Sequence, residues 1–208
     1  MDYNTQLLKK FIVIEGIDGS GTSTQLSLLT DRLRKKGYHV METQEPTKGD
    51  IGILIRKALS GKLDISPSSL ALLFAADRSN HVRNISTGIS RFLQKGGYVV
   101  CDRYLFSSLA YQSLGCSFEY VFSLNSEFPL PEYCIYLDVP PEISQQRIAG
   151  RTNKEIFETN ELQREIIENY ERAFKKYEKS GIKMLRIDGT KNQEEIHTAI
   201  WDFINSVR

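Results

Sequence analysis

The stretch FIVIEGIDGSGTSTQ, at residues 11–25, places a glycine-rich loop between an apolar run and a helical pattern. The run at residues 11–14 is short, continuous and rich in β-branched side chains, which predicts a buried parallel strand. Leucines recur at helical spacing after the loop, and Gly37 follows as a C-terminal cap. The order strand, glycine loop, helix is the context that a phosphate-binding loop requires.

The loop at residues 16–23 nearly matches the phosphate-binding pattern G-x-x-x-x-G-K-[ST]. It keeps both glycines and ends on Ser23, where a hydroxyl binds Mg²⁺, but Thr22 stands where the pattern has lysine. Backbone N–H groups and the helix N-terminus would bind phosphate oxygens. A plain glycine turn is the alternative. The predicted phosphate-site residues are Gly16, Ile17, Asp18, Gly19, Ser20, Gly21, Thr22 and Ser23.

The composition favours one α/β domain over residues 1–208, with a sizeable core. The formal net charge is +1, so we expect neither nucleic acid nor an anionic membrane as a partner. We find no apolar run long enough to span a bilayer, and the polar first ten residues argue against secretion. The cysteines, Cys101, Cys116 and Cys134, form no metal-spaced pair and no disulfide framework, which predicts a cytoplasmic protein.

Strand-like apolar runs alternate with helical patterns along the chain. The runs lie at residues 11–14, 38–42, 98–101, 133–139 and 183–187. The helical patterns lie at 51–59, from Pro67 to about Leu93, at 162–177 and at 196–207. This alternation predicts an α/β fold, a five-stranded parallel sheet with helices on both faces. Ligands of such sheets bind beyond the C-terminal strand ends, where the loop, Glu45-Pro46 and Asp102-Arg103 should converge.

Two further segments carry candidate ligand contacts. Asp102 follows a strand, where a carboxylate can bind Mg²⁺, and Arg103 can grip a phosphate with two N–H groups; a surface ion pair is the alternative. Phe74 and Arg78 lie four residues apart on one helical face, which suits a planar base, although such a phenylalanine is often core.

The polar stretch at residues 147–158 has two interpretations. It is either a solvated surface or a basic lid that surrounds a moving phosphoryl group and excludes water. The three histidines, His39, His81 and His197, form no local ligand spacing, and we assign them no role.

Together these motifs resemble the thymidylate kinase family of P-loop nucleoside monophosphate kinases. The resemblance covers about residues 10–205 and rests most specifically on the Asp-Arg-Tyr block with its Ser-x-x-Ala-Tyr-Gln continuation. The matching segments are residues 14–21, 45–47, 73–78, 102–112 and 135–140, with 155–158 similar to the family's lid. The family implies a three-layer P-loop NTPase fold, commonly homodimeric through helices. It also implies the reaction of ATP with dTMP to give ADP and dTDP, with Mg²⁺, for dTTP synthesis.

The resemblance assigns roles to individual residues. ATP would occupy the loop at 16–23, with Ser23 and Asp102 as the metal site. Asp102, Arg103, Arg147 and Arg151 would be catalytic, the last two beside the ATP phosphates. In the dTMP site, Asp18 would meet the 3′-hydroxyl, Phe74 would stack on thymine, Arg78 would contact its edge and Arg103 would hold the phosphate. Glu45 and Ser108 would belong to the same site, and Tyr111 would line it and disfavour ribose.

Three departures each remove a cation that many family members carry near the phosphates: Thr22 in the loop, Gln44 before Glu-Pro, and Ile156 in the lid. Losing one preorganised stabiliser of developing charge costs about 3–4 kcal/mol. One hypothesis is an active dTMP kinase in which Lys154, Arg147 or Arg151 replaces the lysine. A second is a catalytically impaired nucleotide-binding homologue. A third is a kinase for another deoxynucleoside monophosphate.

Overall fold

The computed structural model describes residues 3–4, 6–149 and 159–206. Strands and helices alternate along these residues, as the sequence predicts. The strands are β1 (Leu7–Gly16), β2 (Val40–Gln44), β3 (Tyr98–Asp102), β4 (Leu130–Asp138) and β5 (Lys183–Asp188). The helices are α1 (Thr22–Lys35), α2 (Asp50–Leu59), α3 (Pro67–Arg83), α4 (Ile89–Gln94), α5 (Leu105–Tyr111), α6 (Phe118–Asn125), α7 (Pro141–Ile148), α8 (Asn160–Lys176) and α9 (Gln193–Ser206), with a 3₁₀ turn at Gln112–Leu114.

The five strands form one parallel sheet in the order β2-β3-β1-β4-β5. The predicted fold class is therefore confirmed. Strand β1 lies in the middle, and its residues 11–16 are buried. Continuous burial explains why this strand appears in the sequence as an unbroken apolar run rather than an alternating one.

Alternate residues of the sheet build two separate cores. Phe11 and Val13 face one core, which packs against α5, α6 and α8. Ile12 and Ile14 face the other, which packs against α1 and α9. Since successive side chains of a strand point to opposite faces, this alternation produces the predicted three layers. A third, smaller cluster joins α2 to α3.

Several boundaries differ from the predicted ones; β1, for example, extends from Leu7 to Gly16, beyond the predicted run at residues 11–14. Strand β2 begins at Val40, two residues after the start of the predicted run, and continues to Gln44. The helical stretch after Pro67 is two helices, because Asn84 leaves the helical conformation. Its side-chain oxygen then accepts hydrogen bonds from the backbone N–H groups of Ser86 and Thr87, which makes a turn before α4.

The remaining sequence expectations concern the lid, the cysteines and a membrane-spanning segment. Of the predicted lid, Arg147 lies in α7, whereas residues 150–158, including Arg151, Lys154 and Ile156, lie outside the described residues. Cys101 and Cys134 are buried, and all three cysteines are free thiols. Within the described ranges, none of the helices is both long and apolar enough to cross a membrane.

Candidate active site

The glycine loop connects the central strand β1 to helix α1, and two of its glycines are required by geometry. Gly19 has φ +82°, and a Cβ at this position would lie 2.8 Å from the backbone oxygen of Ser144. Gly21 has φ +100° and directly precedes Thr22, the first residue of α1. The first N–H groups of a helix have no intrahelical partners, so this turn directs donors toward the space above the loop.

The two predicted metal ligands are in contact. The Ser23 hydroxyl donates a hydrogen bond of 2.6 Å to Oδ2 of Asp102. The other carboxylate oxygen, Oδ1, is buried and has no hydrogen-bond partner among the described residues. A hydroxyl and a carboxylate with a spare oxygen are hard donors that suit Mg²⁺. In the part of the chain that the structure describes, no group of three or more His, Cys, Asp or Glu side chains could hold a metal ion.

A cavity of about 180 Å³, here called the Arg78 cavity, lies beside this pair. The residues predicted for dTMP binding all line it: Asp18, Glu45, Phe74, Arg78, Arg103, Ser108 and Tyr111. They come from the loop and from the segments after β2 and β3, together with α3. The structure thus brings together residues that lie far apart in the sequence, as convergence at the carboxyl ends of parallel strands requires.

Asp18 and Arg103 form an ion pair in the lining of the Arg78 cavity. Nη2 of Arg103 lies 2.8 Å from Oδ1 of Asp18, and the Tyr111 hydroxyl donates to Oδ2 at 3.1 Å. The Arg103 guanidinium also lies over the Tyr111 ring, 5.0 Å from its centroid. Both charged side chains keep 17% of their surface exposed, so each remains accessible from the cavity.

A buried ion pair also lines the cavity. Nε and Nη2 of Arg78 lie 2.9 and 2.6 Å from Oε2 of Glu45. Arg78 also donates to Oγ of Ser108, at 2.9 Å, and to Oδ1 of Asn125. His81 Nδ1 lies 2.9 Å from the second Glu45 oxygen. These contacts fix the guanidinium plane at the wall of the cavity.

The charge state of Glu45 follows from its neighbours. Burial alone would raise the pKa of this carboxyl, but the Arg78 charge and the His81 hydrogen bond outweigh burial and hold the pKa below its ordinary value. Glu45 therefore stays ionised, and its carboxylate faces Arg78 and His81.

Sequence reasoning missed Arg56 and Gln112, which line this cavity, and His81, which contacts Glu45 but does not line the cavity. Arg56 lines it while donating to the backbone oxygens of Thr47 and Pro46, both at 2.5 Å, and has no carboxylate partner among the described residues. Gln112 is buried and lines the cavity, with an Oε1 that has no partner in the described part of the chain. His81 contacts Glu45, as above. Only the Gln at the end of the Ser-x-x-Ala-Tyr-Gln segment carried a usable signal in the sequence.

A second cavity, of about 360 Å³ and here called the Arg147 cavity, lies on the other side of the loop. Residues 19–25, Arg147 and Lys191 line it, and Thr22 is among them. Nη1 of Arg147 lies 3.4 Å from the backbone oxygens of Gly19 and Ser20, and Nη2 donates to the oxygen of Gly189 at 2.9 Å. The loop thus has a guanidinium fixed against it, although it lacks the lysine.

A phosphate loop on the central strand, a hydroxyl–carboxylate pair and two cavities on either side of it define a P-loop protein built to bind two ligands. The family model described as thymidylate kinase matches residues 14–200. A relative from Treponema pallidum, named as a thymidylate kinase, is 40% identical over 97% of this chain and 98% of its own. Relatives with the same kinase in their names, from Methanococcus aeolicus and Pyrococcus abyssi, are 42% and 40% identical. They cover 93% and 91% of this chain and 94% and 93% of their own. The chain belongs to the thymidylate kinase family.

The buried Glu45–Arg78 pair generates a stability prediction. Glu45→Ala leaves the Arg78 charge buried and unpaired, so the free energy of unfolding should fall by about 3–5 kcal/mol. The matched control is Glu119→Ala, which removes an exposed carboxylate from an ion pair with Arg172 and should cost about 0–1 kcal/mol. Urea denaturation followed by circular dichroism measures both.

The pH dependence has a definite sign. Because the folded-state pKa of Glu45 is lowered, its contribution is present above the ordinary carboxyl pKa and is lost as the pH falls through the folded value. The difference between wild type and Glu45→Ala should therefore shrink below about pH 4.5. Equal losses for the Glu45 and Glu119 variants at pH 7 would contradict the assignment.

Proposed function

We propose that the Arg78 cavity binds dTMP, that the Arg147 cavity binds ATP, and that phosphoryl transfer takes place between them. This is the reaction of the thymidylate kinase family, in which ATP and dTMP give ADP and dTDP with Mg²⁺. The Ser23–Asp102 contact carries the proposal, because Ser23 lines one cavity and Asp102 lines the other. A metal ion held there would neutralise charge on the phosphates of both nucleotides.

The base end of the Arg78 cavity has the polarity that thymine needs. Phe74 offers an aromatic face, Arg78 has one guanidinium N–H beyond those used by its contacts, and Gln112 offers a buried carbonyl oxygen without a partner among the described residues. A pyrimidine with a carbonyl beside a ring N–H satisfies this donor and acceptor. Cytosine carries an amino group and a bare nitrogen at the same places, and it would leave both protein groups unpaired.

The sugar and phosphate end is formed by charged groups. Asp18 can accept a hydrogen bond from the 3′-hydroxyl, and the Tyr111 ring beside it crowds the neighbouring 2′ position. Arg103 and Arg56 supply two guanidinium groups for the monophosphate. Arg56 has only backbone oxygens as partners among the described residues, so none of the described carboxylates competes with the acceptor phosphate for it, although Gln44 is not an arginine.

In the reaction, a phosphate oxygen of dTMP attacks the γ-phosphorus of ATP. The bond from that phosphorus to the β–γ bridging oxygen breaks, and ADP leaves with the electron pair. The protein positions the two phosphates in line and stabilises the charge that develops between them. Arg103 and Arg56 serve the acceptor side, while the loop N–H groups serve the donor side.

Arg147 supports activity without the loop lysine. Its guanidinium is fixed by carbonyls of the loop itself and by Gly189, and it lines the same cavity as Thr22. A cation that is already in place costs no reorganisation during the reaction, which is the property that makes such groups effective. We therefore assign to Arg147 the stabilisation of the ATP phosphates. The competing possibility, an impaired homologue, is favoured by Thr22, Gln44 and Ile156, each of which stands where many family members carry a cation.

The test measures dTDP formation by variants at these two positions. Arg147→Ala should lower kcat about 10²–10³-fold, because it removes a preorganised charge. Thr22→Lys should raise kcat and should recover part of the loss in the Arg147→Ala background. Arg34→Ala, which removes an exposed guanidinium at the far end of α1, is the control and should stay within about twofold. A wild-type rate that Arg147→Ala leaves unchanged would overturn this role.

Acceptor choice is tested with a panel of deoxynucleoside monophosphates. We expect dTMP and dUMP to be phosphorylated, because both present a carbonyl and an N–H to Arg78 and Gln112. The kcat/KM for dCMP should be at least about 10²-fold lower, since a site built for hydrogen bonds rejects an analogue that leaves them unmade. Equal values for dCMP and dTMP would contradict the base-recognition argument.

We further propose that the protein is a cytoplasmic homodimer. Free thiols suit a reducing compartment. The packed pair of helices α2 and α3 exposes Ile53, Leu54 and Leu72, whose exposed fractions are 46%, 38% and 49%. Large exposed apolar side chains on two packed helices are typical of an interface between proteins. A second copy of this chain would cover them by an isologous contact.

Sedimentation equilibrium tests the dimer. Leu72→Glu places a charge on the proposed interface and should convert the dimer to monomer. Ile85→Glu, at a position that is 89% exposed in the turn before α4, is the matched control and should leave the mass unchanged. A wild-type protein that is monomeric at tens of micromolar, or a Leu72→Glu variant that remains dimeric, would contradict the proposal.

A further inference from the structure

Arg103 has an unusual backbone conformation. Its φ is +69°, in the left-handed region that residues with a Cβ rarely adopt. Such a conformation persists only where surrounding contacts impose it. This conformation sets the direction of the Arg103 side chain, which extends from the turn after β3 to Asp18 of the glycine loop.

Three hydrogen bonds hold this turn. The Arg103 N–H donates to the backbone oxygen of Ile14 at 2.9 Å, and the Cys101 thiol donates to the Arg103 oxygen at 3.0 Å. The next N–H along the chain, that of Tyr104, donates to Oε1 of Glu15 at 2.9 Å. Of these three contacts, the one with Glu15 is made by a side chain of the neighbouring strand β1.

The other oxygen of Glu15 is also held. Oε2 accepts from the Ser107 hydroxyl at 2.5 Å and from the Tyr170 hydroxyl at 3.2 Å. Tyr170 in turn lies 3.2 Å from the backbone oxygen of Gly16, where the glycine loop begins. One carboxyl therefore joins the turn after β3, helix α5 and helix α8, beside the first residue of the loop.

Glu15 is fully buried, and burial raises its pKa to about 7, although Ser107, Arg103 and Tyr104 act in the opposite direction. A buried carboxyl is costly unless it makes specific contacts. None of the roles proposed above for the two cavities uses this residue. Its neutral and ionised forms are close in free energy near pH 7, so an uncharged amide of the same length is a fair replacement.

We infer that Glu15 is a positioning residue for acceptor binding: through the Tyr104 N–H it holds the turn that directs Arg103 into the Arg78 cavity. This inference rests on the proposed role of Arg103 in holding the dTMP phosphate. Glu15 touches neither nucleotide in this account and acts through Arg103 alone. What matters is the reach of its side chain to the Tyr104 N–H rather than its charge.

Variants that separate length from charge test the inference. Glu15→Gln keeps an oxygen within reach of the Tyr104 N–H, whereas Glu15→Asp and Glu15→Asn are shorter by one methylene. We expect the shorter side chains to raise the dTMP KM about tenfold or more, because the loss of one hydrogen bond to a buried group weakens binding by about that factor. Glu15→Gln should stay within about threefold, and the ATP KM should stay within about twofold for all variants. If Glu15→Asp fails to fold, the Asn and Gln pair makes the same comparison.

Tyr170→Phe is the matched structural control. It removes a hydroxyl from Glu15 and Gly16 but leaves the Tyr104 N–H contact in place, so it should lower the melting temperature without raising the dTMP KM. An equal rise in the dTMP KM for Tyr170→Phe and Glu15→Asn would overturn the inference. The inference would also be overturned if Glu15→Asp and Glu15→Asn raised the KM values for dTMP and ATP together. It would equally be overturned if neither variant raised the dTMP KM.

A double-mutant cycle separates this inference from the proposed function. If Glu15 acts through Arg103, the dTMP KM of Glu15→Asn/Arg103→Ala should equal that of Arg103→Ala alone. Additive losses would overturn the inference. An Arg103→Ala variant with an unchanged dTMP KM would instead remove the proposed role of Arg103 itself. If Arg103→Ala raises the dTMP KM while the short Glu15 variants do not, only the inference about Glu15 fails.

Discussion

The parallel pairing of β1 with β3 is the constraint on which the site depends. Ile14 is in register with Asp102, and the ladder continues into the turn through the hydrogen bond from Arg103 to Ile14. This register sets the glycine loop and the Asp-Arg-Tyr turn side by side. A slip of one residue would move Asp102 away from Ser23 and would turn the side chains of the slipped strand to the opposite face of the sheet.

Acidic side chains around the loop have different tasks because their surroundings differ. Asp102 keeps a spare oxygen beside Ser23, and Asp18 remains partly exposed opposite Arg103. Glu45 is buried against Arg78, and Glu15 is buried against hydroxyl and N–H donors. In the proposed function, Asp102 and Asp18 face the nucleotides, whereas Glu45 and Glu15 position Arg78 and Arg103.

The sequence predicts what depends on local pattern. The loop, the five strands and the residues that follow the strands are visible as apolar runs and turn residues, and all the predicted dTMP residues line one cavity. Arg56 was not predictable, because its place depends on the packing of α2 against the turn after β2. The contacts of Arg147 were also not predictable, because its partners are backbone oxygens of two loops that lie far apart in the sequence. No pattern of side chains indicates such partners.

The central claim is that this loop without a lysine still transfers a phosphoryl group to dTMP. Its most direct test is the simultaneous quantification of dTDP and ADP formed from dTMP and ATP by the unmodified protein, with Asp102→Asn alongside. We expect the two products in equal amounts, at a rate at least about 10²-fold above that of the variant. Calorimetric binding of dTMP without dTDP formation above the Asp102→Asn level would contradict the account.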